Sequence, residues 1–156
     1  MLHYRQGALT FTEGEGPKII AHVCGDSGLW QGGFASAISQ RWPEAESAYK
    51  EWTSTGSWQD EGFGLGGLQL VPVEVDLRVA NMIARRDQEA AEEPPSLRYG
   101  ALETCLHKLL RAALADQASI HLPRLGAGLA GADPTRIDAM LRKMLHPVEA
   151  VVYEWP

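Results

Sequence analysis

The fold is decided by residues 19–42, which read IIAHVCGDSGLWQGGFASAISQRW. The first six of these residues form a nearly continuous apolar run that ends at a glycine, which is typical of a strand covered on both faces. After the glycine-bearing loop 25–33, apolar side chains recur at helical spacing at Phe34, Ile38 and Trp42. The stretch therefore predicts a strand, a glycine loop and a helix.

The next part of the chain predicts more elements of both kinds. Pro43 begins a second helical stretch over 43–52, because a proline in the first turn removes only an N–H that would be unpaired anyway. Two β-type runs, 68–75 and 76–83, predict a pair of strands joined by a short acidic turn. Apolar residues at helical spacing predict the longest helix over 97–118.

The last part of the chain predicts two strands around a helix. Residues 119–122 form a short apolar run, and EAVVYEW at 149–155 is predicted as the final strand. Between them, Asp133 followed by Pro134 is a strong start signal for a helix over 135–145. Strands that alternate with helices indicate an α/β fold in which a mixed sheet lies between helices. We expect one domain over residues 1–156.

Composition limits the possible partners. The chain has 156 residues, 45% of them hydrophobic, and a formal net charge of −6, which argues against binding to nucleic acid or to anionic lipid. A small anion remains a candidate ligand, because backbone N–H groups can hold phosphate without positive side chains. No apolar run is long enough for a signal peptide or a membrane span, so we expect a soluble cytoplasmic protein.

The two cysteines give no sign of a metal site. Cys24 and Cys105 lie far apart, outside any CxxC pair, and lack neighbours that would complete a zinc site. We expect two buried thiols, no metal ion and no cofactor. The charged stretch 85–96 (RRDQEAAEEPPS) is predicted to be an exposed loop, and a lid over one end of the ligand is an alternative.

A second glycine loop carries the GxGxxG spacing. Gly126, Gly128 and Gly131 follow a predicted strand and precede a capped helix, so their backbone N–H groups are candidate donors to phosphate. A tight turn that needs glycine for packing is the alternative. A Rossmann dinucleotide site would place this loop early in the chain, with more strands to follow. The loops 25–33 and 126–131 would meet at the carboxyl ends of the strands and hold one ligand between them.

Four segments together resemble a bacterial branch of the macrodomain family. They are AHVCGDSGLWQGGFASAISQRWPEAESAYKEW (21–52), VANMIARRD (79–87), HLPRLGAGLAGADP (121–134) and VVYEWP (151–156). The branch includes proteins similar to terminal ADP-ribose protein glycohydrolase. The resemblance implies a three-layer α/β/α domain with ADP-ribose in a cleft across the strand ends.

The resemblance also implies which residues contact the ligand. It assigns the floor to His22, Val23 and Cys24, and the distal ribose and nearby phosphate to Gln31, Gly32, Gly33 and Phe34. It assigns the diphosphate to the backbone of Leu125, Gly126, Ala127, Gly128, Leu129 and Ala130, and the adenine to Tyr153. Trp30 is included as a ligand contact, with a helix cap as its alternative. For His22 and Tyr153, the alternative is a structural place in the hydrophobic core.

Three positions depart from the family pattern. Ala8 stands where many macrodomains carry an Asp that accepts a hydrogen bond from adenine. Arg85 stands where glycohydrolases carry a nucleophilic lysine, a role closed to arginine because its guanidinium stays protonated. Ala130 stands where those relatives have an Asp. Our candidate catalytic residues are Asp26, Asp133 and, by its position, Arg85, although Asp26 in a turn and Asp133 at a helix start also fit capping roles.

The sequence therefore predicts an ADP-ribose-binding macrodomain with a hydrolase activity that removes ADP-ribose from acidic protein side chains or from ADP-ribosyl esters. Its partners would be ADP-ribose or an ADP-ribosylated protein. A non-catalytic reader of ADP-ribose is the alternative, and a relative that binds another nucleotide is a third hypothesis. The oligomeric state stays open.

Overall fold

The computed structural model describes residues 1–8, 14–87 and 94–154, and one mixed sheet is its centre. The elements follow in the order β1 (Leu2–Gln6), β2 (Lys18–Gly25), α1 (Gly33–Arg41), α2 (Pro43–Thr55), β3 (Ser57–Trp58), β4 (Glu61–Gly62), β5 (Leu68–Glu74), β6 (Leu77–Arg86), β7 (Ser96–Leu97), α3 (Tyr99–Asp116), β8 (Ser119–Pro123), α4 (Pro134–Met144) and β9 (Ala150–Glu154). The predicted alternation of strands and helices is confirmed.

The main sheet runs in the order β1-β9-β8-β2-β6-β5, and β7 pairs with β6. Its first five strands are parallel, whereas β5 and β7 are antiparallel to β6. The strands β3 and β4 form a separate hairpin. Because β2, β6, β8 and β9 are parallel, their carboxyl ends meet at one edge of the sheet, and the loops that follow them share that edge.

Helices cover both faces of the sheet, which confirms the three-layer α/β/α fold. Along β2, Ile19 and Ala21 point to one face, where they join the core cluster that includes residues of α3 and α4. Ile20 points to the other face and joins Ile38 of α1 and Ala45 of α2. Neighbouring residues of a strand point to opposite faces of the sheet. A strand with helices on both faces therefore needs apolar residues at successive positions, as the sequence of β2 shows.

The helix ends follow from local chemistry. Pro43 is the first residue of α2, as predicted, and Gly56 ends this helix in the left-handed conformation, with its N–H donating to the carbonyl of Trp52 at 2.8 Å. Asp133 caps α4, since its carboxylate accepts the N–H of Thr135 at 3.0 Å. This cap fixes the direction in which the loop after β8 enters the helix.

Two parts of the structure differ from the sequence prediction. The edge strand β1 was not predicted; three of its five residues are exposed, so its sequence lacks an apolar pattern. The prediction of an exposed loop over 85–96 is wrong at both ends, because Arg85 and Asp87 are buried and residues 96–97 form β7. Residues 88–93 of that loop and Trp155 of the last predicted strand lie outside the described residues. Within the described ranges, no helix combines the length and apolar character that crossing a membrane requires.

Candidate functional site

An open cleft of about 320 Å³ lies where β2, β6 and β8 end. The loop after β2 forms one wall and the loop after β8 forms the other. The lining residues are His22, Val23, Gln31, Gly32, Phe34, Ala35, Arg85, Pro123, Arg124, Leu125, Gly126, Ala127 and Leu129. Residues 124–127 also border a second cavity of about 160 Å³ on their α4 side. The first cleft is the candidate site, because both glycine loops meet there.

The loop after β8 is held in place by hydrogen bonds at its rear. Gly126 and Gly128 have φ of 78° and 79°, a conformation that favours glycine. The N–H of Leu129 donates to the carbonyl of Gly126 at 3.0 Å, and the Ala130 N–H donates to the carbonyl of Pro95 at 3.0 Å. Within the described residues, the N–H groups of Gly126, Ala127 and Gly128 have no hydrogen-bond partner, so this wall offers backbone donors.

Tyr99 fastens the far end of the same loop. Its hydroxyl donates to the carbonyl of Gly131 at 2.9 Å and accepts the N–H of Asp133 at 2.8 Å. The guanidinium of Arg136 lies 3.7 Å from the centre of the Tyr99 ring. The loop is therefore fixed at both ends, and its residues Gly126 and Ala127 line the cleft.

The opposite wall contains the N-terminus of α1. Gly32, with φ of 111°, precedes this helix and gives it no side-chain cap. The N–H groups of Phe34 and Ala35 have no hydrogen-bond partner in the part of the chain that the structure describes, and both residues line the cleft. An uncapped helix N-terminus attracts negative charge through its free N–H groups and the helix dipole.

The floor of the cleft rests on a buried polar chain. Gln69 donates through Nε2 to the carbonyl of Ala48 at 2.8 Å, so its Oε1 accepts from Asn81 Nδ2 at 2.9 Å. Asn81 Oδ1 is then left as the acceptor for His22 Nε2 at 2.6 Å. Burial lowers the pKa of His22 to about 4, against the raising effect of its hydrogen bond to Asn81. The imidazole is therefore neutral at neutral pH, with its proton on Nε2.

A cluster of charged residues lies where β2 and β6 end, and its member Arg85 lines the cleft. Arg85 Nε donates to Asp87 Oδ1 at 2.7 Å, and both residues are only 9% exposed. Asp87 Oδ2 accepts the N–H of Ser27 at 3.2 Å and also the Ser27 hydroxyl. Asp26 Oδ1 accepts the N–H of Asp87 at 2.9 Å. These hydrogen bonds of Asp26, Ser27 and Asp87 connect the loop after β2 to the end of β6.

The cleft brings together many of the predicted ligand contacts. Those that line it are His22, Val23, Gln31, Gly32, Phe34, Leu125, Gly126, Ala127 and Leu129, together with the candidate catalytic residue Arg85. Gly33 is the first residue of α1. The predicted contacts that do not line the cleft are Cys24, Trp30, Gly128, Ala130 and Tyr153.

Three of the predicted ligand contacts that do not line the cleft make contacts within the protein instead. Trp30 donates through Nε1 to the carbonyl of Ala35 at 3.0 Å and lies edge-on to His22, so it supports the floor from behind. Tyr153 is 6% exposed, and its hydroxyl is 2.8 Å from His121 Nδ1. Cys24 is buried, and burial raises the pKa of its thiol well above the usual range, so it stays protonated.

The two candidate catalytic carboxylates also have partners. Asp133 caps α4, and Asp26 accepts a backbone N–H and lies 3.6 Å from Arg86 Nε. No aspartate or glutamate is among the described residues that line the cleft. Of the three candidates, only Arg85 therefore reaches the cleft.

Sequence reasoning missed three residues that line the cleft, and it also missed Asp87, the partner of Arg85. Ala35 follows Phe34 in the predicted helix, and Pro123 and Arg124 directly follow the predicted strand 119–122, so their positions could have indicated them. Asp87 is different, because it stands in a charged run that is typical of a solvated loop. Only the fold shows that it is buried.

Solved structures decide the family. A macrodomain protein from Streptomyces coelicolor is 37% identical to this chain, and the two superpose with a TM-score of 0.83 over 98% of each. The chain belongs to the macrodomain family. A protein of unknown function from Bacteroides thetaiotaomicron is 35% identical and superposes with a TM-score of 0.89 over 99% of this macrodomain and 98% of that chain. No protein-family model matches the sequence.

More distant proteins share the fold or a part of the sequence. Thermosipho africanus DarTG, solved in complex with ADP-ribose, is 12% identical, and the superposition covers 88% of this macrodomain and 38% of that chain with a TM-score of 0.70. Chromodomain-helicase-DNA-binding protein 1-like from Mus musculus is 28% identical over 99% of this chain but only 18% of its own length. The macrodomain thus spans less than a fifth of that relative.

Proposed function

We propose that this macrodomain binds ADP-ribose in the open cleft, with the diphosphate between the two loops. The carrying observation is that each wall of the cleft includes backbone N–H groups without a hydrogen-bond partner among the described residues, those of Gly126 and Ala127 on one wall and those of Phe34 and Ala35 on the other. Charge-assisted hydrogen bonds of this kind contribute about 1.5–3 kcal/mol each. Backbone donors also explain how a chain of net charge −6 attracts an anion.

Arg85 strengthens the proposal from the third side of the cleft. Its Nε is bound to Asp87, while its terminal amino groups have no hydrogen-bond partner among the described residues. A guanidinium held along one edge offers the other edge to a phosphate or carboxylate. The ADP-ribose complex of Thermosipho africanus DarTG supports the choice of ligand, since that protein shares the fold.

The adenine end relies on weaker contacts. Ala8 offers no carboxylate to the adenine amino group, so we expect apolar stacking and backbone contacts to hold the base. Tyr153 remains a predicted neighbour of the base, although its ring is mostly enclosed by the core. We therefore expect the diphosphate and the distal ribose to contribute most of the affinity.

Hydrolysis is the second candidate function, and it depends on Arg85, because this is the one of the three candidate catalytic residues that lines the cleft. The reaction would break the bond between the distal ribose C1″ and the oxygen of an acidic side chain or ester, with water supplying the new hydroxyl. With Asp26 and Asp133 bound to backbone N–H groups, a ligand phosphate would have to orient that water. The alternative is a reader that binds ADP-ribose without turnover.

Calorimetric titration with ADP-ribose tests the binding proposal. We expect saturable binding that is tighter than for ADP or NAD. Gly126→Ala should weaken it at least tenfold, because the added Cβ would lie 3.0 Å from the Ala132 Cβ and the φ of 78° strains any side chain. Gly16→Ala is the matched control, with a φ of 86° but open space around it. No binding at millimolar ADP-ribose would refute the proposal.

A release assay separates the hydrolase from the reader. The substrate is a peptide that carries ADP-ribose on a glutamate, and the product is free ADP-ribose measured by mass spectrometry. Turnover that is lost in Asp26→Asn or Asp133→Asn, while stability and ADP-ribose affinity stay at the wild-type values, would assign a catalytic carboxylate. Turnover that is lost in Arg85→Gln alone would support the phosphate-assisted route. Tight binding without turnover would identify a reader.

A further inference from the structure

We propose that Asp87 is a positioning residue for the ligand, acting through Arg85. Its carboxylate holds the guanidinium at the cleft so that the terminal amino groups of Arg85 meet an anionic group of the ligand. This inference rests on the proposed function, since the anion in question is a phosphate of ADP-ribose. It adds to that function a residue that does not itself line the cleft.

The two oxygens of Asp87 have separate tasks. Oδ1 accepts from Arg85 Nε at 2.7 Å, and Oδ2 accepts from the N–H and hydroxyl of Ser27. The side chains of Arg85 and Asp87 are 11% and 9% exposed, so water screens their interaction only weakly. One carboxylate thus connects the arginine on β6 with the loop after β2.

The arrangement leaves one edge of the guanidinium for the ligand. Arg85 lines the cleft, and Nε is the nitrogen that Asp87 engages. An arginine side chain without such a partner samples many rotamers, and ordering it on binding costs about 0.5–1.5 kcal/mol. Asp87 removes part of that cost before the ligand arrives, which is why we expect its loss to weaken binding.

The absence of a side chain at Gly25 leaves space for the ion pair of Arg85 and Asp87. A Cβ at Gly25 would overlap the Asp87 carboxylate and lie 2.5 Å from an Arg85 terminal nitrogen, so this strand end has room for the pair only as glycine. The N–H of Asp87 is in turn held by Asp26. Asp87 is therefore fixed by its main chain and by both carboxylate oxygens, as a positioning residue requires.

The experiment measures ADP-ribose affinity at low and high salt for wild type, Asp87→Asn, Arg85→Gln and the double variant. Asp87→Asn should weaken binding about tenfold and reduce its salt dependence, because the arginine no longer meets the phosphate in a fixed position. In the Arg85→Gln background the same change should cost less than about twofold, because the residue through which Asp87 acts is already gone. Asp87→Glu keeps the charge but moves the carboxylate, so it should also weaken binding and serves if Asp87→Asn fails to fold.

Asp116→Asn is the matched control. It also breaks an arginine–aspartate ion pair, the 2.6 Å contact with Arg78, at the opposite end of β6 from Arg85, and it should leave the affinity and the salt dependence unchanged. An unchanged affinity in folded Asp87→Asn or Asp87→Glu, or equal losses with and without Arg85, would overturn the inference while ADP-ribose binding by wild type stands. Failure of wild type to bind ADP-ribose would overturn the proposed function and this inference with it.

Discussion

Gly25 shows how a single residue of this macrodomain serves both stability and the cleft. It ends β2 and is the position at which the pairing of β2 with β6 shifts register. Its φ is not in the left-handed region, so the need for glycine comes from neighbouring side chains rather than from the backbone conformation. A side chain at position 25 would overlap both Arg85 and Asp87, so the two side chains would have to move.

We therefore predict that Gly25→Ala destabilises the protein by about 1–3 kcal/mol, the usual range for overpacking a buried position. It should also weaken ADP-ribose binding, because the displaced partner is Arg85. The free energy of unfolding in urea and the calorimetric Kd measure the two effects. Gly62→Ala is the control, since nothing lies within 4 Å of its added Cβ and its φ needs no strain. Equal stability of the two variants would contradict the packing argument.

The two acidic candidate residues, Asp26 and Asp133, show which kind of contact a sequence can predict and which it cannot. Asp26 was a candidate catalytic residue because it stands in a glycine loop, but its oxygen accepts the N–H of a residue 61 positions later in the chain. A local capping role was predicted for Asp133, and there the structure agrees, because the partner is only two residues away. Capping within a turn is visible in sequence, whereas a partner from a distant strand is not.

The central strands β2 and β8 each carry a buried histidine. Burial lowers the pKa of His22 to about 4, and burial together with the charges of Lys18 and Arg5 lowers the pKa of His121 to about 4. His121 lies between the hydroxyls of Ser119 and Tyr153, each 2.8 Å from a ring nitrogen. Both strands thus hold a neutral imidazole in the core.

These histidines predict a loss of stability in acid. A histidine in the unfolded chain binds a proton below its ordinary pKa of 6.5, whereas the folded protein resists the proton down to about 4. The stabilisation is therefore complete above pH 6.5 and declines as the pH falls towards 4, by up to about 1.4 kcal/mol per pH unit for each histidine. Urea unfolding of wild type and His121→Gln between pH 7 and 4.5 measures it. A variant with the same slope as wild type would contradict the assignment.

The elements were predictable where one segment carries its own pattern. The unbroken apolar run in β2, Pro43 at the start of α2 and Asp133 before α4 each depend on neighbours in sequence, and each was predicted. β1 was not, because an edge strand needs only one partner and Leu2–Gln6 shows little apolar alternation. The burial of Asp87 was missed for a related reason, since β6 continues into a charged run that composition alone assigns to solvent.

The molecule as a whole concentrates its binding features at one edge. The parallel strands bring together the loop after β2, the N-terminus of α1, the end of β6 and the loop after β8. In sequence these segments are separated by up to about a hundred residues, and only the strand order makes them one cleft. The two glycine loops were predicted to meet in this way, and the structure places both on the cleft walls.

An amide ¹H–¹⁵N NMR titration with ADP-ribose decides whether the ligand lies between the two loops. We predict that the resonances of Gly126, Ala127, Phe34 and Ala35 move together and saturate, because their N–H groups gain the diphosphate as a partner, while the Gly62 resonance stays in place. Shifts confined to residues of the cavity beside α4, such as Ile137 and Leu141, or no shifts at millimolar ADP-ribose, would show that the two loops do not hold the ligand between them.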